Sequence, residues 1–187
     1  GYRPNGTILG VAGQFDWEQL QQLVGELFGD WQTGTWAEPS VGSLKVHRAH
    51  LKCESSQTHI AVAYPSVPYN HEDYFQAWGA VGVLSGGSSS RLFMEVREKR
   101  GLCYSVGASP RSLKDCGSVF CHAGTSADRA QETLDVILAE LVRLAAGIES
   151  NELDRLKARM KSSLIMSQES SMARAAAIAK DWYYLNR

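Results

Sequence analysis

No CxxC pair occurs in this chain, and neither H-E-x-x-H nor H-x-x-E-H is present. The first absence excludes a zinc ribbon and a thioredoxin-type redox site. The second excludes a helical zinc-peptidase centre, which needs two histidines on one helix face beside a carboxylate. Gly-Lys-Ser/Thr, GxGxxG and GxSxG are also missing, so nothing signals a P-loop, a dinucleotide fold or a nucleophile elbow. No apolar run reaches the roughly 20 residues of a membrane span. A formal net charge of -1 supplies no basic field for nucleic acid. No basic start leads into an apolar stretch, so no signal peptide is expected, and no targeting motif names a compartment. What remains is 187 residues, 44% hydrophobic and 21% charged. That suits one globular domain, or one and a piece, able to bury a core without staples.

The histidines and cysteines reinforce this picture. His47 and His50 have H-x-x-H spacing, but on a strand positions three apart face opposite sides. His71-Glu72 opens a helix with no second histidine at the right offset; His59 and His122 stand alone. No metal site is expected inside the chain. The cysteines are Cys53, Cys103, Cys116 and Cys121. They read as buried small hydrophobes in a reducing compartment, with a Cys116–Cys121 encounter across a hairpin as the alternative.

Periodicity sets the elements. Thr7–Gly13 reads as a short buried strand, and Asp16 as the cap of a helix bearing Leu20, Leu23, Val24 and Leu27 that stops at Gly29. Trp31–Leu44 has linker composition. Lys45–Leu51 and Gln57–Tyr64 are strand candidates, the second ended by Pro65 and Pro68. Asn70 caps a helix to about Leu84. A second helix follows over Gly86–Arg100, with the serines as caps. Cys103–Arg111 and Gly117–Thr125 form a hairpin. Ser126 caps a helix whose stripe is Ala130, Leu134, Ile137, Leu138, Leu141 and Ala145, with Gly147 as stop. Ser150 starts another with Leu153, Leu156, Met160 and Leu164, and Met172–Leu185 is helical. Strands and helices are partly segregated. The fold class is therefore α+β, a mixed or antiparallel sheet covered by helices.

The run from Gly86 to Val106, GGSSSRLFMEVREKRGLCYSV, carries the chemistry worth weighing. Gly86-Gly87-Ser88 could present amides to a phosphate, but a helix start after a tight turn explains the glycines without a nucleotide and is the stronger reading. Cys103 lacks an activating neighbour. Gly101 ends the helix and Tyr104 opens the strand, which brings Arg97, a fixed cation with five donors, close to a phenol. Such a pair can hold a peptide backbone. From spacing alone the ordinary account is the stronger: Arg97, Lys99 and Arg100 suit the last turn of a helix, and Tyr104 suits a strand.

The same run resembles the second-domain signature of the pitrilysin/insulinase-type zinc metallopeptidases, the group that includes mitochondrial processing peptidase. Leu9-Gly10-Val11-Ala12-Gly13-Gln14-Phe15-Asp16, Leu27-Phe28-Gly29-Asp30-Trp31 and Glu152-Leu153-Asp154-Arg155-Leu156-Lys157 extend the resemblance over nearly the whole chain. It implies a zinc-processing-peptidase-like half, in which one of two homologous α+β domains carries zinc and the other supplies an arginine and a tyrosine. By position these fall on Arg97 and Tyr104. Arg97 would grip a substrate main-chain carbonyl, and Tyr104 would donate its hydroxyl to the developing oxyanion. Residues 1–34 resemble the end of the preceding domain, 35–50 a linker, and 51–187 a peptidase C-terminal-type domain short of its closing strand. Zinc is expected in the full-length protein or a partner subunit, and none in this chain. The expected partners are a peptide substrate and the zinc-bearing N-terminal domain or a homologous subunit, with no nucleic acid and no membrane. The function implied is that of the substrate-binding, non-zinc domain of a zinc metalloendopeptidase, inactive alone. The alternative is a non-catalytic partner or scaffold subunit of the same family. Whether the whole protein is an enzyme turns on a zinc motif that this sequence does not contain.

Overall fold

The computed structural model describes residues 3–35, 48–52 and 54–186. His47 and Cys53, with most of the proposed linker and the first part of the Lys45–Leu51 strand candidate, lie outside the described residues. Residues 48–52 form no strand. The chain divides into two compact units, Gly1–Cys53 with Ser167–Arg187, and Glu54–Met166.

In the first unit, helix α1 (Trp17–Phe28) forms as the sequence predicts. The Asp16 carboxylate accepts the Gln19 N–H at 2.9 Å, and Gly29 caps the other end. That satisfies one of the amides a helix N-terminus leaves open. The Thr7–Gly13 strand does not form. A strand exists only through a hydrogen-bonded neighbour, and no described residue pairs with this segment. Leu9 is 59% exposed in consequence, and α1 has no fully buried residue. Instead the segment runs against helix α5 (Ser171–Leu185), which is capped by Ser170 through the Ala173 N–H. A Cβ at Gly10 would stand 2.4 Å from the Ala175 carbonyl oxygen and 2.9 Å from Ala179 Cβ. Only glycine permits this approach. Gly10→Val is expected to cost about 1–3 kcal/mol through overpacking, read as an earlier urea midpoint by circular dichroism.

The second unit holds a three-stranded antiparallel sheet, β1 (Thr58–Ser66), β2 (Cys103–Ser112) and β3 (Gly117–Thr125), in the order β1-β3-β2. Ile60, Val62 and Tyr64 of β1 alternate with outward residues, as expected. Pro65 lies inside β1 instead of ending it, opposite Ser118. The strand is at an edge, where a missing N–H need break no ladder bond. Helix α2 (Tyr74–Ser85) starts later than the Asn70 cap implied, after Asp73.

The expected helix over 86–100 is shorter and different in kind. Its regular part covers residues 91–98, and Phe93–Glu98 is a π-helix. The Lys99 N–H reaches back five residues to the Met94 carbonyl at 2.9 Å. Ser90 does not cap through its side chain; its hydroxyl donates to the Gly87 carbonyl at 2.6 Å. Serine and glycine thus satisfy each other within the loop. A short 3-10 turn, Ala127–Arg129, precedes α3 (Ala130–Ala145), and Ser126 makes no side-chain cap bond to it. The buried line of α3 is Thr133, Ile137 and Glu140, while Leu138 is 43% exposed. Two of those three residues are polar, so hydrophobic periodicity aims one residue off.

Val81 and Leu84 of α2, Leu92, Val96, Leu102, Cys103 and Ile137 meet Val119, Cys121 and Ala123 of β3 in one core. Helix α4 (Ser150–Glu169) starts in this unit, with Leu156 buried near Gly79 and Gly82 of α2. Cys121 is buried and Cys116 exposed, and both are free. The encounter between them does not occur, and Cys116 is not a core residue. Among the described residues no helix is long and apolar enough to cross a membrane.

Candidate functional site

Arg97 and Tyr104 lie at the two ends of one short connection. Arg97 is on the last turn of the π-helix, and Tyr104 is the second residue of β2. Between them Gly101 adopts φ +59°, the left-handed region that glycine enters freely. Its N–H donates to the Arg97 carbonyl at 3.0 Å, and the Leu102 N–H donates to the Val96 carbonyl at 2.9 Å. The turn is therefore hydrogen-bonded directly to the helix that presents the arginine.

The three cations of this segment do not share one role. Lys99 and Arg100 both bind the Glu95 carboxylate, at 2.6 and 2.7 Å. These two neighbours, first through their hydrogen bonds, hold the Glu95 carboxyl below its ordinary range. Arg97 pairs with no carboxylate among the described residues. It is exposed, with its guanidinium carbon 5.0 Å from the centre of the Phe93 ring. The ring can hold the cation's plane while leaving its donors open.

Tyr104 owes its orientation to a β-bulge. Cys103 stands opposite Thr125 and Ser105 opposite Gly124, so Tyr104 is the extra residue in the β2–β3 ladder. A bulge re-aims a side chain at the cost of local pairing. Tyr104 and Ser105 accordingly both face outward, breaking strand alternation, and Tyr104 is 70% exposed. Its hydroxyl has no hydrogen-bond partner among the described residues. An open cavity of ≈210 Å³ lies beside it, between Tyr104, Gly101, Ser126, Asp128 and Arg129. The Ser126 hydroxyl holds the Asp128 carboxyl below its ordinary range.

Cys103, adjacent to Tyr104, is not an activated nucleophile. Burial pushes its thiol up, against a smaller opposing pull from the Arg97 charge. No group of three histidine, cysteine or acidic residues among the described residues could hold a metal ion. The site therefore offers an exposed guanidinium and an exposed phenol, both donors, on a rigid connection. It can bind carbonyl oxygens and stabilise negative charge developing on one of them.

The bulge, the π-helix and the part played by Arg129 carry no signal in the sequence. Gly101 signalled the turn, but nothing local marks an extra residue in a ladder whose partner lies twenty positions on.

The family model described as the peptidase M16 inactive domain matches residues 2–160. A Bacillus subtilis protein named an uncharacterized zinc protease is 31% identical over 191 aligned residues, spanning 100% of this chain and 46% of that protein. The chain thus spans about half the length of the relatives it matches. Among solved structures, a peptidase M16 inactive domain from Pseudomonas fluorescens superimposes with a TM-score of 0.65 at 27% identity, over 70% of this chain and 31% of that one. A Helicobacter pylori protease gives a TM-score of 0.72 over 92% of this chain and 44% of its own, at 21% identity, which speaks to the fold alone.

Proposed function

The chain belongs to the peptidase M16 inactive-domain family of zinc-protease-like proteins, and from that premise we propose that it is the peptide-gripping half of a zinc metalloendopeptidase. Arg97 donates to a main-chain carbonyl of an extended peptide. Tyr104 donates its hydroxyl to the carbonyl oxygen that becomes an oxyanion as the bond is attacked. The metal, in this reading, belongs to a zinc-bearing domain or subunit facing this one, which the zinc-protease names of the relatives support. In this reading residues 1–34 close that preceding domain, 35–50 link, and 51–187 form the gripping domain.

The observation that supports it most is the division of labour around the π-helix. Lys99 and Arg100 have Glu95 as counter-ion, whereas Arg97 is left exposed at the end of the connection leading to Tyr104. The helix dipole suits all three cations, but only Arg97, on the last turn, keeps its donors clear of a carboxylate among the described residues. A scaffold subunit would have no need of a free guanidinium and an out-turned phenol at this junction.

Binding of reduced casein to the whole protein, stripped of zinc, tests this. Arg97→Ala is expected to weaken it about tenfold or more, the range for a lost charge-assisted hydrogen bond. Arg97→Lys recovers part of the loss, since a point charge replaces a fork. Unchanged affinity in both variants would favour the scaffold reading.

A further inference from the structure

Resting on the reading of Arg97 and Tyr104 as a working pair, we infer that Arg129, Thr125 and Thr133 are positioning residues that fix Tyr104 relative to Arg97. The basis is where the polar groups of the two-residue turn go. Leu102 is buried, so its backbone donor and acceptor must each find a partner, while the exposed Gly101 takes protein partners in place of water. Both N–H groups, of Gly101 and Leu102, return to the π-helix that carries Arg97. Both carbonyls go the other way. The Gly101 carbonyl accepts from Arg129 Nη1 at 2.6 Å. The Leu102 carbonyl accepts from the Thr125 hydroxyl at 2.5 Å.

The two carbonyl clamps are joined behind the turn. Thr133 Oγ1 is 3.3 Å from Thr125 Oγ1 and donates to the Arg129 carbonyl at 2.8 Å. With the Thr125 proton given to Leu102 and the Thr133 proton to Arg129, the 3.3 Å approach of the two hydroxyl oxygens is a packing contact, and through it a chain of contacts runs from Gly101 through Arg129, Thr133 and Thr125 to Leu102. Thr125 and Thr133 are fully buried. Neither hydroxyl therefore has a water competitor. Thr125 is also the residue opposite Cys103, where the ladder steps past Tyr104. The end of β3 and the start of α3 thus hold the turn and the bulge together.

A donor helps a transition state only if it is already aimed, and a displacement of about 1 Å can cost 10²-fold. Loosening this chain of contacts should therefore act on turnover more than on peptide affinity, since Arg97 stays on its own helix.

The test is a double-mutant cycle in the whole peptidase. Arg129→Gln is a surface change and Thr133→Val a shape-conserving loss of the hydroxyl. Each is expected to lower kcat about tenfold, with KM and casein affinity within twofold, and Thr133→Ser should restore kcat. In a Tyr104→Phe background neither change should lower kcat further, because there is no hydroxyl left to aim. Amide hydrogen exchange at residues 102–105 should quicken in both single variants, independently of activity. Full additivity with Tyr104→Phe, or unchanged kcat in Arg129→Gln and Thr133→Val while Tyr104→Phe is impaired, overturns the inference and leaves the pair standing. Full kcat in Tyr104→Phe overturns the pair and the inference with it.

Discussion

Tyr104→Phe is expected to lower kcat of the whole protein by 10²–10³-fold while leaving KM and zinc content unchanged. The substitution removes one oxygen from a side chain that is 70% exposed and packs nothing away, so the fold has no reason to respond. Its cost is confined to the moment when a carbonyl oxygen becomes charged. One lost oxyanion donor is typically worth about 3–4 kcal/mol, and a change in kcat alone marks an interaction made only in the transition state. Two features of the site favour the upper end. The hydroxyl has no competing partner among the described residues, and the bulge presents it from a turn whose hydrogen bonds are all made. An effect on KM alone would reassign Tyr104 to ground-state binding, and no effect would remove it from the chemistry.

What the sequence made legible, and what it hid, divides along a physical line. Asp16 and Gly29 mark α1 because capping is decided within a few residues, and the hairpin and β1 follow from alternation that survives in one strand at a time. The Thr7–Gly13 strand failed because its composition suits a sheet that no described residue supplies. Pro65 predicts a strand end by a rule that holds for central strands and relaxes at an edge. At the candidate site, Arg97 and Tyr104 were located through the resemblance, while their own spacing favoured helix-end and strand roles. What distinguishes them is nonlocal: Glu95 engages the neighbouring cations, and the Thr125 register forces Tyr104 out. Thr133 and Glu140 were invisible for a simpler reason. A buried polar residue looks, in a hydrophobicity pattern, like a surface one.

Glu152→Gln should be the most damaging single change to stability, and Arg91 is the reason. The Arg91 guanidinium is 6% exposed and gives Nε to one Glu152 oxygen at 2.7 Å and Nη2 to the other at 2.6 Å. Nη2 also reaches the Gly147 carbonyl at 2.9 Å, so the pair ties the segment before the π-helix to the α3–α4 connection. Glu152 in turn accepts the Glu149 N–H at 2.9 Å at the start of α4. Removing the carboxylate charge leaves a buried cation with only the Glu140 and Glu149 charges acting on it, and breaking a buried pair typically costs about 3–5 kcal/mol. Nη1 of Arg91 has no partner among the described residues, so the Gly147 carbonyl is the bond that would remain beside a weakened contact to residue 152. The same logic sets a pH signature. Arg91, first through its hydrogen bonds, lowers the Glu152 carboxyl from 4.5 to about 2. A carboxyl depressed on folding contributes stability that is fully present above its unfolded value and is lost as pH falls through the folded one. The wild-type urea midpoint should therefore fall between about pH 4.5 and 2 by more than that of Glu152→Gln, which has no such proton to take up. Parallel pH profiles would show that Glu152 is not the group in control. An Arg91→Met, Glu152→Leu double variant separates charge pairing from packing: near-wild-type stability there would show that the pair is costly mainly to break, as expected for ions removed from water together.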